Sequence, residues 1–150
     1  MAVGTAEVRE TVALDGESGC IAQARESAAR FLERARVEHA VTVSERAVDS
    51  VRLVVSEMVT NALKYAPGPV LLDLRIAGDG LVEVEVWDSD PVLPVARAAD
   101  AGRVGQHGLE IVMALAEGYE VQREPVGKRV TVWLALTDDP AGPITRHHPA

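Results

Sequence analysis

Glu57, Asn61 and Lys64 lie in the run Ser56-Glu57-Met58-Val59-Thr60-Asn61-Ala62-Leu63-Lys64-Tyr65. At about 100° per residue these three positions fall within roughly 60° of one another on a helix, so they form one polar stripe. A carboxylate can take a proton from a hydroxyl or water. A carboxamide oxygen is a hard ligand suited to Mg²⁺, which favours oxygen and keeps several waters. An ammonium one turn further on can pair with a phosphate oxygen. The competing reading is the solvated side of any amphipathic helix, and Asn61 argues against it, because asparagine is a mediocre helix former.

Two more clusters carry chemistry. Asp88 follows Val82, Val84, Val86 and Trp87, so it closes an apolar strand and stands at the rim of a pocket. A carboxylate there can accept a hydrogen bond from an exocyclic amine, and such sites reject analogues lacking the donor. An Asp opening a turn before a proline is the plainer alternative. Gly102, Gly105 and Gly108 then punctuate a segment that runs into a helix at Gly108-Leu109. Glycines let backbone approach a ligand, and a helix amino terminus offers free N–H groups to an anion. Arg103 adds a guanidinium, and His107 is read as a polar loop residue. The spacing matches neither a Walker A loop nor a Rossmann fingerprint, and a flexible connector would look similar.

Periodicity supplies the elements that must position these groups. Val8, Val12 and Leu14 alternate with Arg9 and Thr11 as a first strand, broken at Asp15-Gly16. From about residue 18 to 36, Ile21, Ala24, Ala28, Phe31, Leu32 and Ala35 recur at helical spacing. Thr42 and Glu45 fit a capping box for a second helix that reaches about Tyr65 and ends at Pro67-Gly68-Pro69. Val70 to Ile76 and Val82 to Val86 alternate around Gly78-Asp79-Gly80, which predicts a hairpin. After a loop of about twenty residues, long enough to be functional, a short helix carries Leu109, Ile111, Val112 and Leu115. Strands over 119–123 and 130–136 close the pattern. It predicts an α+β, two-layer sandwich with a mixed, mostly antiparallel sheet and the helices on one face. Residues 1–137 form the domain, and 138–150, rich in Pro, Gly and His, read as a disordered tail.

The bulk properties set limits. A chain of 150 residues with 47% hydrophobic and 25% charged residues is an ordinary globular composition. A net charge of −8 argues against nucleic acid as a partner. The lone Cys20 permits no internal disulfide and fits a small buried residue in a reducing compartment. With no signal-peptide start and no long apolar run, the expectation is a cytoplasmic protein without membrane contact. His147 and His148 alone do not make a metal site.

Polar helix, hairpin, Asp-bearing rim, glycine segment, short helix and closing strands come in an order that resembles the histidine-kinase-like ATPases of the Bergerat fold. Among these it is similar to the small bacterial anti-sigma-factor serine kinases, over about residues 15–136. Glu57-x-x-x-Asn61-x-x-Lys64 resembles the family's N box, Asp88 its adenine-reading aspartate, and Gly105 to Leu109 its second glycine box. The resemblance implies ATP and Mg²⁺ as ligands, with Asn61 on the metal and Glu57 as general base. It further implies nucleotide contacts from Lys64, Arg103, Gly105, Gly108 and Leu109, beneath a lid at about 92–107. It also implies an anti-anti-sigma protein as substrate, a sigma factor as target, and a homodimer. The chain departs from the pattern in two places. Ser89, Asp90 and Pro91 replace the glycines of the first box, and Arg129 stands in the threonine slot after Gly127, leaving Thr131 as the substitute. A nucleotide-dependent binding switch, an ATP hydrolase and a detached sensor-kinase core with His39 remain as rival readings.

Overall fold

The computed structural model describes residues 7–17, 19–65, 68–88, 103–125 and 127–138, with the side chains of Tyr65 and residues 103–108 left aside. Of the lid expected at about 92–107, residues 92–102 lie outside the described residues, as does the tail beyond 138, whereas 103–107 are helical. Along the chain come β1 (Val8–Leu14), α1 (Cys20–His39), α2 (Glu45–Tyr65), β2 (Val70–Ile76) and β3 (Leu81–Asp88). They are followed by α3 (Arg103–Leu115), β4 (Gly118–Arg123) and β5 (Lys128–Ala135). The strands make one sheet in the order β1-β2-β3-β5-β4, antiparallel at each pairing.

Alternation decides which face of that sheet is buried. Val70, Leu72, Leu74 and Ile76 of β2, Val82, Val84 and Val86 of β3, and Val132 and Leu134 of β5 point into one core. The helices close it. α1 contributes Ala24, Ala28, Phe31, Leu32 and Ala35, and α2 contributes Val51, Val54, Val55, Met58, Val59 and Ala62. α1 packs on β1 and β2, α2 on β2, β3 and β5, and α3 packs beside α2. The helices therefore lie across the sheet in the order α1, α2, α3. The opposite sheet face carries cross-strand charge pairs. Arg9 meets Asp73 at 2.8 Å, and Arg75 meets Glu7 and Glu83, each at 2.9 Å. Exposed pairs of this kind add little stability singly.

A hydrogen-bonded start and a short connection at the other end fix the direction of α2. At its start the Ser44 N–H donates to the Leu136 carbonyl at 2.9 Å, and the Ser44 Oγ accepts the Ala47 N–H at 3.0 Å. Ser44 is thus the N-cap, two residues after the expected Thr42. The helix begins at Glu45, and a cap must sit directly before the first helical residue for its oxygen to reach the third amide. At its other end only four residues separate Tyr65 from Val70, a span of at most about 17 Å. Val70 lies beside Leu14, and its neighbour Leu71 pairs with Trp87. So α2 starts at the Leu136 end of the sheet and finishes at the Asp88 end.

A backbone contact braces that finishing end. Gly16, in the β1–α1 turn, has φ +86°, and a Cβ built on it would stand 2.5 Å from the Gly68 carbonyl oxygen. Gly68 itself has φ +136°, but a Cβ there meets nothing within 4 Å. Gly16→Ala combines left-handed strain with a displaced backbone, and is expected to cost about 2–4 kcal/mol. Gly68→Ala carries the strain alone. Urea unfolding of both variants checks this, and equal losses would remove the brace.

Candidate functional site

The two sides of α2 differ in what they face. Glu45, Val48 and Asp49 line an open groove against Ala29, Arg30 and Arg36 of α1, about 410 Å³ in volume. Glu57 and Asn61 lie well around the helix from that groove, bordering the buried positions Val54 and Met58. This is the side turned toward α3. Both are half-buried, whereas Lys64 is exposed. Asn61 sits in the penultimate turn, so it belongs to the Asp88 end of the sheet. The groove against α1 is on the other flank.

At that same end the structure places a group the sequence reading did not anticipate. Asp88 is opposite Lys128 in the β3–β5 register, both side chains are buried, and Lys128 Nζ lies 2.9 Å from Oδ2 and 3.2 Å from Oδ1. The signal for this was present in the sequence. Lys128 is in phase with Val130, Val132 and Leu134, so period-two alternation sends its ammonium to the apolar face, where it needs a buried partner.

The same register corrects the nucleotide role expected of Thr131. Thr131 is opposite Glu85 and donates to its Oε2 at 3.3 Å, on the face of the sheet away from the helices. A strand turns successive side chains to opposite faces, so Thr131 cannot join Asp88 at one ligand. Arg129 is on that outer face too, 3.5 Å from Glu85 and 2.7 Å from Glu124. The Glu124 contact is a charge contact rather than an aligned hydrogen bond, since that oxygen has no hydrogen-bond partner. Burial holds the Glu85 carboxyl above its ordinary pKa, and the Arg129 guanidinium pulls against that shift. The residue that shares a face with Asp88 is therefore Lys128, one position before the expected slot.

The glycine segment also differs from expectation. α3 begins at Arg103, five residues before the expected start at Gly108. Gly105 and Gly108 are helical, and each costs about 1 kcal/mol of propensity relative to alanine. The packing of buried Val112 and half-buried Leu115 against the core offsets that cost. In an α-helix the first four amides have no intrahelical acceptor, and this includes the amide of Gly105. The amide of Gly108 lies beyond them and is satisfied inside the helix. Leu109 contributes apolar surface. The carboxyl end of α3 is tied to the far end of the sheet, where the Glu117 N–H donates to the Trp133 carbonyl at 2.7 Å. The amino-terminal half, with Arg103 and Gly105, runs back from that end.

These donors fit a nucleotide that brings its own metal. Among the described residues no group of three or more His, Cys, Asp or Glu side chains could cage an ion. Mg²⁺ bound with a triphosphate needs only one or two protein ligands, and Asn61 offers one.

The model of the histidine kinase-like ATPase domain matches residues 20–134, and the chain belongs to that family. Membership implies ATP as the ligand, with a magnesium ion as its usual companion. The crystal structure of the RsbU and RsbW domains of a Mycobacterium tuberculosis protein has the same fold. It matches 85% of this chain and 32% of its own, with TM-score 0.64 and 18% identity. This chain thus spans about a third of that one. A histidine kinase domain from an Erythrobacter litoralis blue-light activated histidine kinase matches 59% of this chain and 44% of its own, with TM-score 0.46 and 24% identity. The Acinetobacter baumannii histidine kinase AdeS matches 86% and 68%, with TM-score 0.47 and 14% identity. No curated protein matches the chain in sequence. Among the described residues no helix is long and apolar enough to cross a membrane.

Proposed function

We propose that this chain is an ATP-dependent serine/threonine protein kinase of the anti-sigma-factor type, which moves the γ-phosphoryl of ATP to a hydroxyl on a partner protein. What supports the reading is that half-buried Asn61, in the penultimate turn of α2, and buried Asp88, at the end of β3, both belong to the same end of the sheet. A base held at Asp88 places its triphosphate along the last turns of α2, within reach of a metal on Asn61. Lys64 and the open amides of α3, Gly105 among them, would meet the phosphates, and Arg103 the outer oxygens. Mg²⁺, when bound, neutralises the phosphate oxygens. Glu57, one turn before Asn61, would accept the proton of the attacking hydroxyl. Phosphoryl transfer is governed by positioning and electrostatics, so a small set of residues suffices. The acceptor proposed is an anti-anti-sigma protein, with a sigma factor as the regulated target. A homodimer and a cytoplasmic setting complete the proposal.

The test is incubation with labelled ATP, Mg²⁺ and a candidate acceptor protein. Label on acceptor serine or threonine supports a kinase, free phosphate without label on protein identifies a hydrolase, and binding without turnover identifies a switch. The metal role is checked separately by calorimetry. Asn61→Ala is expected to abolish the gain in ATP affinity that Mg²⁺ confers, by about 1.5–3 kcal/mol for a lost contact to a charged group. An unchanged gain would remove Asn61 from the metal.

A further inference from the structure

The two sides of the groove between α1 and α2 are unequally furnished. On the α1 side Arg36 is paired with Glu33 at 3.4 Å, and Arg30 donates to the Ser27 hydroxyl at 3.4 Å. On the α2 side Glu45 and Asp49 are exposed, and among the described residues neither side chain forms a hydrogen bond or an ion pair. Half-buried Ala29 and Val48 also line the groove. The groove thus combines a small apolar surface with two uncompensated carboxylates. Small ligands are held by enclosure of most of their surface, which an open groove does not give. A peptide segment with an aliphatic side chain and a nearby cation suits it better.

The chain itself carries such a segment, and the fold delivers it to the groove. Beyond the end of β5 at Ala135, the Leu136 carbonyl accepts from the Ser44 N–H at 2.9 Å, and the Asp138 carboxylate accepts from the Ser44 hydroxyl at 3.1 Å. Ser44 caps α2, so Asp138 stands directly beside Glu45 and the start of the groove. The twelve residues that follow, 139–150, contain one large aliphatic side chain, Ile144, and one arginine, Arg146. Six residues separate Asp138 from Ile144, an extended reach of about 20 Å. Val48 is only about 6 Å along α2 from Ser44. We infer that the groove is the docking site of the chain's own segment 139–150, with Ile144 on Ala29 and Val48 and Arg146 against Glu45 and Asp49. A tether this short gives an effective concentration in the millimolar range, so an intrinsic affinity of about 1 mM already fills the groove half of the time. Asn61 is about 18 Å further along α2 than Asp49, so the docked segment leaves the nucleotide end open. The inference does not depend on the nucleotide reading.

A nitroxide on Thr145→Cys in the full chain tests it, because Cys20 is buried and the new thiol is the accessible one. The amide NMR signals of Ala29, Glu33, Val48 and Asp49 are expected to lose intensity, and that of Asn61 to keep it. Glu45→Gln combined with Asp49→Asn changes two exposed side chains outside the core and is expected to restore the groove signals. Ile144→Ser, also outside the core, is expected to do the same. Full intensity at the groove, or losses centred on another surface, overturns the inference. So do losses that persist through both sets of substitutions. Labelled chain mixed with unlabelled, isotope-enriched chain separates the sources: losses in that mixture place the segment on a second copy and overturn docking within one chain.

Discussion

Replacing Asp88 with asparagine is expected to cost the fold about 3–5 kcal/mol, the usual penalty for stranding one member of a buried ion pair. Lys128 would keep its ammonium among apolar neighbours with no carboxylate to balance it. Domains of this size are stable by only about 5–15 kcal/mol, so the variant would lie close to unfolding at ambient temperature. Asp88→Leu combined with Lys128→Met removes both charges and should return to within about 1–2 kcal/mol of the parent. Urea unfolding of the three proteins checks the set. A single variant within about 1 kcal/mol of the parent would mean that the pair is not closed in solution. The result bears directly on function, because lost nucleotide binding in an Asp88 variant is informative only if that variant is still folded.

The sequence discloses local order well and long-range registry poorly. The β2–β3 hairpin was legible because its turn and both alternations lie within twenty residues, and α2 because one apolar stripe persists for its whole length. Lys128 was missed because its meaning depends on β3 pairing with β5 across an intervening helix and strand, a contact that no local pattern specifies. Counting from Gly127 puts Arg129 in the threonine slot. The pleat, which assigns faces by parity, sends it outward with Thr131. α3 starts early because three glycines suggest a loop by propensity, whereas packing of Val112 against the core decides the outcome. Ser44 displaced Thr42 as the cap because both are competent by type. The choice between them is made by the Ser44 amide bonding to Leu136, ninety-odd residues away.

Glu57→Gln is expected to lower phosphoryl transfer by about 10²–10⁴-fold, the range supplied by a positioned general base, while leaving ATP affinity nearly unchanged. Glu57 and Asn61 are one turn apart, a rise of about 6 Å along α2. On the proposed reading, that spacing would set a carboxylate beside a metal-bound phosphate without a contact of its own to the nucleotide in the ground state. Glutamine keeps the shape and cannot take a proton, so the loss should appear in kcat rather than in KM for ATP. Its half-buried place beside Val54 and Met58 tolerates a neutral amide, so the thermal midpoint should barely move. Asn61→Ala should show the opposite division, with weakened magnesium-dependent binding preceding any loss of rate. If transfer survives Glu57→Gln at full rate, the base is another group and the stripe serves binding alone. If binding falls with it, Glu57 touches the nucleotide directly and the division of labour along α2 is wrong.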